Sequence, residues 1–250
     1  MGLNMNGEFT GRIAVVTGGS SGIGRAVAVE LASSGATVCT CSRSGSSETE
    51  VFGTGKIINA VCNLSIPDSL NRWVSGILQQ FSRIDYLVNN VAFDGRVDFD
   101  DAGEAEFDKF ISVNLRSAFL TSTAALPGLR AGEGKAVVNL GTTNWMLGLS
   151  PFTLYSSAKS GLLGFTRALA RELGKEMIRV NMVSPGWIMT DKQLAEYVTE
   201  QDKADLLRDQ ALPFLLHEKD VVPVIKFLLS KAAGAVTGQN LIVDGGKLMQ

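Results

Sequence analysis

The chain has 250 residues, of which 45% are hydrophobic and 19% are charged, and its net charge at pH 7 is −2. This length allows one large domain with a core big enough to fold unaided. The near-neutral charge, without any basic block, argues against a nucleic-acid partner, and no apolar run approaches the roughly 18 residues of a membrane span.

Apolar runs alternate with helical patterns along the chain, after a start that we expect to be flexible over residues 1–10. Apolar and β-branched runs predict seven strands, over residues 12–17, 36–41, 56–62, 84–89, 135–140, 178–183 and 240–243. Helices are predicted over residues 25–34, 67–81, 114–126, 155–173, 191–210 and 220–230. This alternation predicts a single α/β domain over residues 11–250, with a doubly wound parallel sheet of about seven strands covered by helices on both faces.

A glycine-rich loop, TGGSSGIG at residues 17–24, lies between the first predicted strand and the first helix. Glycines let the backbone approach a pyrophosphate closely, and the helix N-terminus supplies amide donors and a positive dipole. The loop therefore predicts dinucleotide binding. Its candidate cofactor contacts are Gly18, Ser20, Ser21, Gly22 and Ile23.

The end of the second predicted strand indicates which nicotinamide dinucleotide is preferred. An acidic residue there would bind the ribose hydroxyls and repel a 2′-phosphate, but this chain has Ser42 and Arg43. Arg43 could hold the phosphate, and Ser20, Ser42 and Ser44 could add hydroxyl donors. We therefore predict a preference for NADP(H) over NAD(H). The alternative is that Arg43 is an exposed turn residue and both cofactors bind.

Tyr155 and Lys159 begin a long helical pattern and lie four residues apart, so they share one helix face. A lysine ammonium beside a phenol favours the phenolate, which predicts a tyrosine that acts as a general base. The alternative is a surface tyrosine beside a solvated lysine.

The numbers of cysteines and histidines limit the disulfides and metal sites that the chain can form. Cys39, Cys41 and Cys62 are too few for a disulfide framework, so we expect reduced core thiols in a cytoplasmic protein. The start of the chain lacks the pattern of a secretory signal. His217 is the single histidine, so no metal site is predicted.

Four motifs occur in one order: TGGSSGIG, Asn114 within SVNL, YSSAK at 155–159 and SPGW at 184–187. In this the chain resembles the short-chain dehydrogenase/reductase family, over nearly its whole length. The resemblance implies a Rossmann-type fold, a nicotinamide cofactor and usually a homotetramer.

The same resemblance implies roles for individual residues. Tyr155 would be the general acid/base, and Lys159 would bind the nicotinamide ribose and lower the pKa of Tyr155. Asn114 would hold a helix kink and a water of the proton relay. Thr142 stands where the family has a substrate-orienting serine, with Thr143 as the fallback. Threonine keeps the hydroxyl but adds a methyl group, so we expect retained chemistry in a tighter site.

Further cofactor contacts are implied at Asn63, Leu64, Asn90, Pro185, Gly186, Ile188 and Thr190. Asn63 replaces an aspartate that often receives the adenine amino group, and its amide oxygen can still accept that bond. Val91 and Ala92 replace the family's Ala-Gly, and their added side chains could crowd the adenosine side.

Three stretches, at 94–96, 139–148 and 190–193, look like those of bacterial sugar 1-dehydrogenases of the D-xylose type. Candidate substrate residues are Asp94, Asn144, Trp145 and Gln193, which would give a polar pocket with an aromatic face for a polyhydroxylated ligand. The alternative is that Trp145 and Met146 are core or interface residues and Asp94 is a solvated loop charge.

These features predict an oxidoreductase that transfers hydride between a nicotinamide and a small-molecule alcohol, such as a sugar or polyol. One alternative is a reductase of ketones or 3-oxoacyl thioesters, against which the acidic segment 94–108 counts. Another is a nucleotide-binding protein with a silent active site, which the departures at Thr142 and at Val91 and Ala92 leave open. The helices at 115–126 and 155–173 are rich in Ala, Leu and Phe, so we expect a homo-oligomer.

Overall fold

The computed structural model describes residues 7–43 and 47–249. Eight strands form one sheet: β1 (Ile13–Thr17), β2 (Thr37–Ser42), β3 (Thr49–Phe52), β4 (Gly55–Val61), β5 (Tyr86–Asn89), β6 (Ala136–Leu140), β7 (Arg179–Pro185) and β8 (Asn240–Val243). Their order is β3-β4-β2-β1-β5-β6-β7-β8, and every pair is parallel except β3 with β4.

Nine α-helices occur in the described residues: α1 (Gly22–Ser33), α2 (Pro67–Phe81), α3 (Glu104–Ile111), α4 (Ser117–Ala131), α5 (Asn144–Leu147), α6 (Thr153–Leu173), α7 (Asp191–Glu196), α8 (Glu200–Asp209) and α9 (Glu218–Leu229). A π-helical turn, Ser112–Arg116, joins α3 to α4. Within these ranges no helix has both the length and the apolar character needed to cross a bilayer.

Both faces of the sheet are buried, because successive strand residues point to opposite sides. Val16 of β1 belongs to a core cluster that includes residues of α1 and α9. Val15, its neighbour in the chain, belongs to a second cluster with residues of α2, α4 and α6. The predicted doubly wound α/β architecture is confirmed, as is the burial of all three cysteines.

The sheet has one strand more than the seven predicted. β3 pairs antiparallel with β4 at the sheet edge, and the two are joined through Gly53, whose φ is 58°. The side chains of β3 alternate between exposed and partly buried, as expected for a strand with one solvated face. The sequence did not predict this short strand, because the surrounding segment is polar and rich in glycine and serine.

The expected flexible start also needs correction. Phe9 is completely buried, and its ring lies 5.3 Å from that of Tyr86 between centroids. The boundary predicted at residue 10 is therefore wrong for Phe9, because an aromatic side chain here completes the core under α1 and α9. Residues 1–6 lie outside the described residues.

The polar helix predicted over residues 191–210 is two helices, α7 and α8. Thr199 begins α8 with a capping box, in which its hydroxyl accepts from Asp202 N at 3.1 Å. Asp202 Oδ2 in turn accepts from Thr199 N at 2.9 Å. This reciprocal pair satisfies amides that a continuous helix would have bonded internally, and so it starts a new helix.

Candidate active site

A cleft lies at the carboxyl edge of the sheet, where the loops after β1, β5, β6 and β7 meet. From β1 the chain winds to β2 on one side and, later, to β5 on the other, which makes this the topological switch point. Ligands of doubly wound proteins bind at such a point. The cleft has a volume of about 460 Å³.

The glycine-rich loop is shaped to lie against a phosphate group. Gly18 and Gly22 have φ values of 71° and 53°, which only glycine adopts readily. A Cβ on Gly24 would come within 2.2 Å of Gly18 O, so a side chain has no room there. Ser21 begins α1 without a side-chain capping bond, which leaves the first amides of the helix available to an anion. These residues therefore fit the dinucleotide that the loop predicts.

Asn90 secures this loop from the neighbouring strand. Its Nδ2 donates to Thr17 O at 2.9 Å and to Gly18 O at 3.2 Å. Its backbone N donates to Thr17 Oγ1 at 2.9 Å. Asn90 was predicted to contact the cofactor, and in the structure its side-chain amide holds the loop that would contact the cofactor.

Residues after β7 close the cleft over the loop. The methyl group of Thr190 lies 3.5 Å from the position of a Cβ on Gly22. Gly186 packs so closely on Asp244 that a Cβ would lie 2.8 Å from that side chain. Four of the predicted cofactor contacts, which share this segment, line the cleft: Pro185, Gly186, Ile188 and Thr190.

The predicted adenosine residues lie at the ends of β2 and β4. Arg43 is exposed and Ser42 is partly buried. Asn63 Oδ1 already accepts from Ser65 N at 3.0 Å, which leaves one of its two lone pairs for an adenine amino group. Leu64 is 5% exposed and belongs to the core. Ser44 lies outside the described residues.

Tyr155 and Lys159 both stand near the start of α6, buried at 8% and 1% exposure. Lys159 Nζ donates to Leu140 O at 2.6 Å and lies 5.9 Å from the centre of the Tyr155 ring. Tyr155 lines the cleft. The alternative of a surface tyrosine and a solvated lysine is therefore wrong.

The expected depression of the Tyr155 pKa is not what the structure gives. Burial raises the pKa of Tyr155 well above its ordinary value, the charge of Asp94 raises it further, and a hydrogen bond with Thr142 offsets part of the rise. Burial also lowers the pKa of Lys159 to about 8. The spacing in the sequence identified the Tyr155–Lys159 pair, but it could not reveal the burial that dominates the pKa of Tyr155.

Thr142 is the hydroxyl that lies beside Tyr155. Its Oγ1 donates to Asn144 Oδ1 at 2.9 Å and accepts from Asn144 N at 3.2 Å, and all three residues line the cleft. Thr143, the fallback, directs its hydroxyl to Pro185 O at 3.4 Å. The geometry therefore favours Thr142 as the residue that orients a substrate oxygen.

Asn114 lies in the π-helical turn, where a kink was expected, and is 1% exposed. Its Nδ2 donates to Phe93 O and Phe110 O, both at 3.0 Å, and its Oδ1 accepts from Phe93 N at 2.9 Å. Both donors of the amide are thus used by the backbone. Asn114 ties the loop after β5 to the widened turn between α3 and α4.

Replacing Asn114 by Ala is expected to destabilise the protein by about 2–4 kcal/mol, since it leaves buried backbone groups of Phe93 and Phe110 without partners. Chemical denaturation measures the change. Gln201→Ala removes an exposed side-chain bond to Asp205 and is expected to cost under about 0.5 kcal/mol. Equal losses in the two variants would contradict the role given to Asn114.

The predicted substrate residues Asp94 and Gln193 contact each other. Asp94 Oδ2 accepts from Gln193 Nε2 and its Oδ1 from Lys192 Nζ, both at 2.7 Å. Gln193 Oε1 accepts from Trp187 Nε1 at 2.8 Å. These bonds join the loop after β5 to α7 across the cleft, so Asp94 is not the freely solvated charge of the alternative reading.

Trp145 is not among the residues that line the cleft in the described part of the chain, so the structure does not bring it together with Asp94, Asn144 and Gln193. In the single turn of α5, Asn144 and Leu147 share the face that lines the cleft, and a residue one position on points elsewhere. The indole Nε1 of Trp145 is buried, and in residues 7–43 and 47–249 it finds no hydrogen-bond partner.

Sequence analysis missed the aromatic residues that do line the cleft, Phe152, Trp187 and Tyr197, which surround Arg96. Arg96 belongs to the stretch at 94–96 that resembles sugar dehydrogenases, and this resemblance was the one sequence feature that could have pointed to it. Tyr197 follows α7 directly and carries no signal in the sequence, because the polar pattern over residues 191–210 predicts one continuous helix.

Comparison with known proteins agrees with this geometry. A family model described as enoyl-(acyl carrier protein) reductase matches residues 18–247. A D-xylose 1-dehydrogenase of Caulobacter vibrioides is 34% identical over 244 residues, which cover 96% of each chain. A 3-oxoacyl-(acyl-carrier-protein) reductase of Haemophilus influenzae is 34% identical over 238 residues, 94% of this chain and 98% of the relative.

Among solved structures, a short-chain type dehydrogenase/reductase from Mycobacterium ulcerans superposes with a TM-score of 0.89 at 26% identity. The superposition covers 96% of this chain and 90% of that one. The resemblance inferred from the four motifs is confirmed. The chain belongs to the short-chain dehydrogenase/reductase family, and it is an oxidoreductase of the kind that uses a nicotinamide dinucleotide.

Proposed function

We propose that this protein oxidises a carbinol group of a sugar or polyol with NADP⁺ and also catalyses the reverse reduction. In an aldose the reacting carbon is the hemiacetal carbon, and the product is a lactone. The proposal rests above all on the placement of Tyr155, Thr142 and Asn144 together in the wall of the cleft, on the same sheet edge as the glycine-rich loop.

Different residues of the cleft orient the substrate and transfer its proton. Thr142 and Asn144 orient the alcohol oxygen, and the Tyr155 phenolate accepts its proton and passes it to solvent. When bound, a nicotinamide dinucleotide accepts the hydride that leaves the carbinol carbon. Lys159, whose pKa is about 8, keeps its positive charge near Tyr155 at neutral pH.

A polyhydroxylated substrate suits the polar groups of the cleft. The Asn144 side chain offers hydrogen-bonding atoms next to aromatic surfaces such as Phe152. The D-xylose 1-dehydrogenase from Caulobacter vibrioides supports this substrate class. The 3-oxoacyl-(acyl-carrier-protein) reductase from Haemophilus influenzae supports the second candidate, reduction of a 3-oxoacyl thioester.

Absorbance at 340 nm separates the two candidates. The protein is assayed for oxidation of D-xylose, D-glucose and D-galactose, and for reduction of a 3-oxoacyl thioester and of simple ketones. A kcat/KM for at least one sugar that exceeds that for the thioester supports the proposal. Efficient thioester reduction without sugar oxidation would replace it with the second candidate.

The preference for NADP(H) is part of the proposal. Arg43 is exposed at the end of β2, beside Ser42, and neither residue carries the negative charge that would repel a 2′-phosphate. Running the same assay with both cofactors tests it. We expect a higher kcat/KM for NADP⁺ than for NAD⁺, and equal or reversed values would contradict the preference.

We also infer a homo-oligomer formed through α4 and α6. Phe119 of α4 is 51% exposed and stacks edge-on against Phe165 of α6, with the ring centroids 6.0 Å apart. Exposed aromatic surface on adjacent helices favours a partner surface. Light scattering at working concentration is expected to give a multiple of the chain mass, and a monomer would contradict the inference.

A further inference from the structure

Arg96 occupies an unusual position in the cleft. Its guanidinium carbon lies 4.6 Å from the ring centre of Tyr197, 5.6 Å from that of Phe152 and 5.8 Å from that of Trp187. The rings come from three separate segments, after β6, after β7 and after α7. Stacking on aromatic faces fixes the guanidinium in the same cleft as Tyr155.

The carboxylates that line the cleft with Arg96 are committed to other donors. Asp94 is held by Lys192 and Gln193, each at 2.7 Å. Asp202 Oδ2 accepts from the Thr199 backbone at 2.9 Å and also from its hydroxyl. Bonds from Thr199, and to a smaller extent the charge of Arg96, lower the pKa of Asp202.

Asp244, the remaining acid in the cleft wall, accepts from Gly246 N at 2.9 Å and from Leu248 N at 2.8 Å. Across residues 7–43 and 47–249, the guanidinium of Arg96 makes neither an ion pair nor a hydrogen bond with a protein acceptor. The cleft therefore presents a positioned cation whose N–H groups are free for a ligand.

We propose that the substrate carries an anionic group, a carboxylate or a phosphate, and that Arg96 binds it at the end remote from the reacting carbon. This inference rests on the proposed alcohol oxidation in the same cleft. Guanidinium donors match carboxylate and phosphate oxygens two at a time, and stacked rings leave those edge donors accessible. Water solvates the exposed Arg96 in the free protein, and a neutral sugar would offer its N–H groups no charged acceptor.

The surrounding charges are compatible with an anion. Lys192 neutralises Asp94, which lies two residues before Arg96 in the chain, at 2.7 Å. A cleft of about 460 Å³ also lies within the roughly 300–1,000 Å³ range of small-molecule sites, so it has room for a monosaccharide with one such group. Arg96 thus becomes a specificity-determining residue.

Three probes with the same reacting carbon test this: D-glucose, D-glucuronate and D-glucose 6-phosphate. With NADP⁺ in excess, kcat/KM of the wild type for at least one anionic probe is expected to exceed that for D-glucose by about 10- to 100-fold. In Arg96→Gln this anionic-to-neutral ratio is expected to fall at least about tenfold. Arg171→Gln removes the same charge from the last turn of α6, at the opposite edge of the sheet, and should keep the wild-type ratio.

A wild-type ratio of one or less for both anionic probes would overturn the inference, as would an unchanged ratio in Arg96→Gln. If none of the probes is oxidised, that result counts against the proposed function. In that case calorimetry on the protein saturated with NADP⁺ measures the binding affinities of the anionic and neutral probes, and the ratio of these affinities is compared instead. Equal affinities for the neutral and anionic probes would overturn the anion site, and a ratio lost only in Arg96→Gln would support it.

Discussion

Replacing Tyr155 by Phe is expected to lower kcat by about 10²- to 10⁴-fold, because the variant has no hydroxyl to accept the alcohol proton. The ring should keep its place, since Tyr155 packs against Phe152 with ring centroids 6.2 Å apart. Cofactor affinity is therefore expected to change by less than about tenfold. Steady-state kinetics at 340 nm and fluorescence titration with NADPH measure the two quantities.

Tyr86→Phe provides the matched control. Tyr86 is also buried, but it begins β5 at the opposite edge of the sheet from the cleft. Removing its hydroxyl should leave kcat within about twofold of the wild type, as is usual for a change away from the reacting groups. A Tyr155→Phe enzyme that turns over as fast as Tyr86→Phe would defeat the assignment of Tyr155 as the proton acceptor.

Gly24→Ala is expected to abolish cofactor binding. The added Cβ would lie 2.2 Å from Gly18 O and 2.4 Å from Asn90 Nδ2. Both the glycine-rich loop and the Asn90 side chain that holds it must therefore move. A loop that loses two charge-assisted bonds to phosphate loses about 3–6 kcal/mol, which is more than about a hundredfold in affinity. Calorimetric titration with NADP⁺ measures the loss.

Gly76→Ala separates this effect from the general effect of placing alanine in a helix. Gly76 lies inside α2, and its added Cβ would meet nothing within 4 Å. That variant is expected to gain about 0.5–1 kcal/mol in stability and to bind NADP⁺ like the wild type. Normal NADP⁺ affinity in Gly24→Ala, in a variant that remains folded, would show that the loop is not the phosphate site.

The sequence was informative wherever a local pattern determines the structure. Parallel strands such as β6 are continuous apolar runs, and Gly18 and Gly22 mark a loop that needs positive φ. Strand β3 was missed because an exposed edge strand needs little apolar sequence. Phe9 was misjudged because its burial depends on distant partners such as Tyr86.

Within the site, spacing identified residues but not their environments. Tyr155 and Lys159 were found from their four-residue separation, whereas the direction of the Tyr155 pKa shift depends on burial, which only the folded chain reveals. The surroundings of Trp145 could not be predicted from the sequence, because α5 is a single turn that no pattern predicted. The rings around Arg96 come from segments far apart in the chain, and no local pattern connects them.

The pH dependence of alcohol oxidation tests most directly whether Tyr155 is the base. Burial raises the pKa of Tyr155 above its ordinary value, so between pH 6 and pH 8 the phenol is mostly protonated and the reactive phenolate grows with pH. With a substrate deuterated at the reacting carbon, so that chemistry limits the rate, kcat/KM of the wild type should rise about tenfold per pH unit. The residual rate of Tyr155→Phe should stay flat. Identical pH profiles for the two proteins would contradict the account.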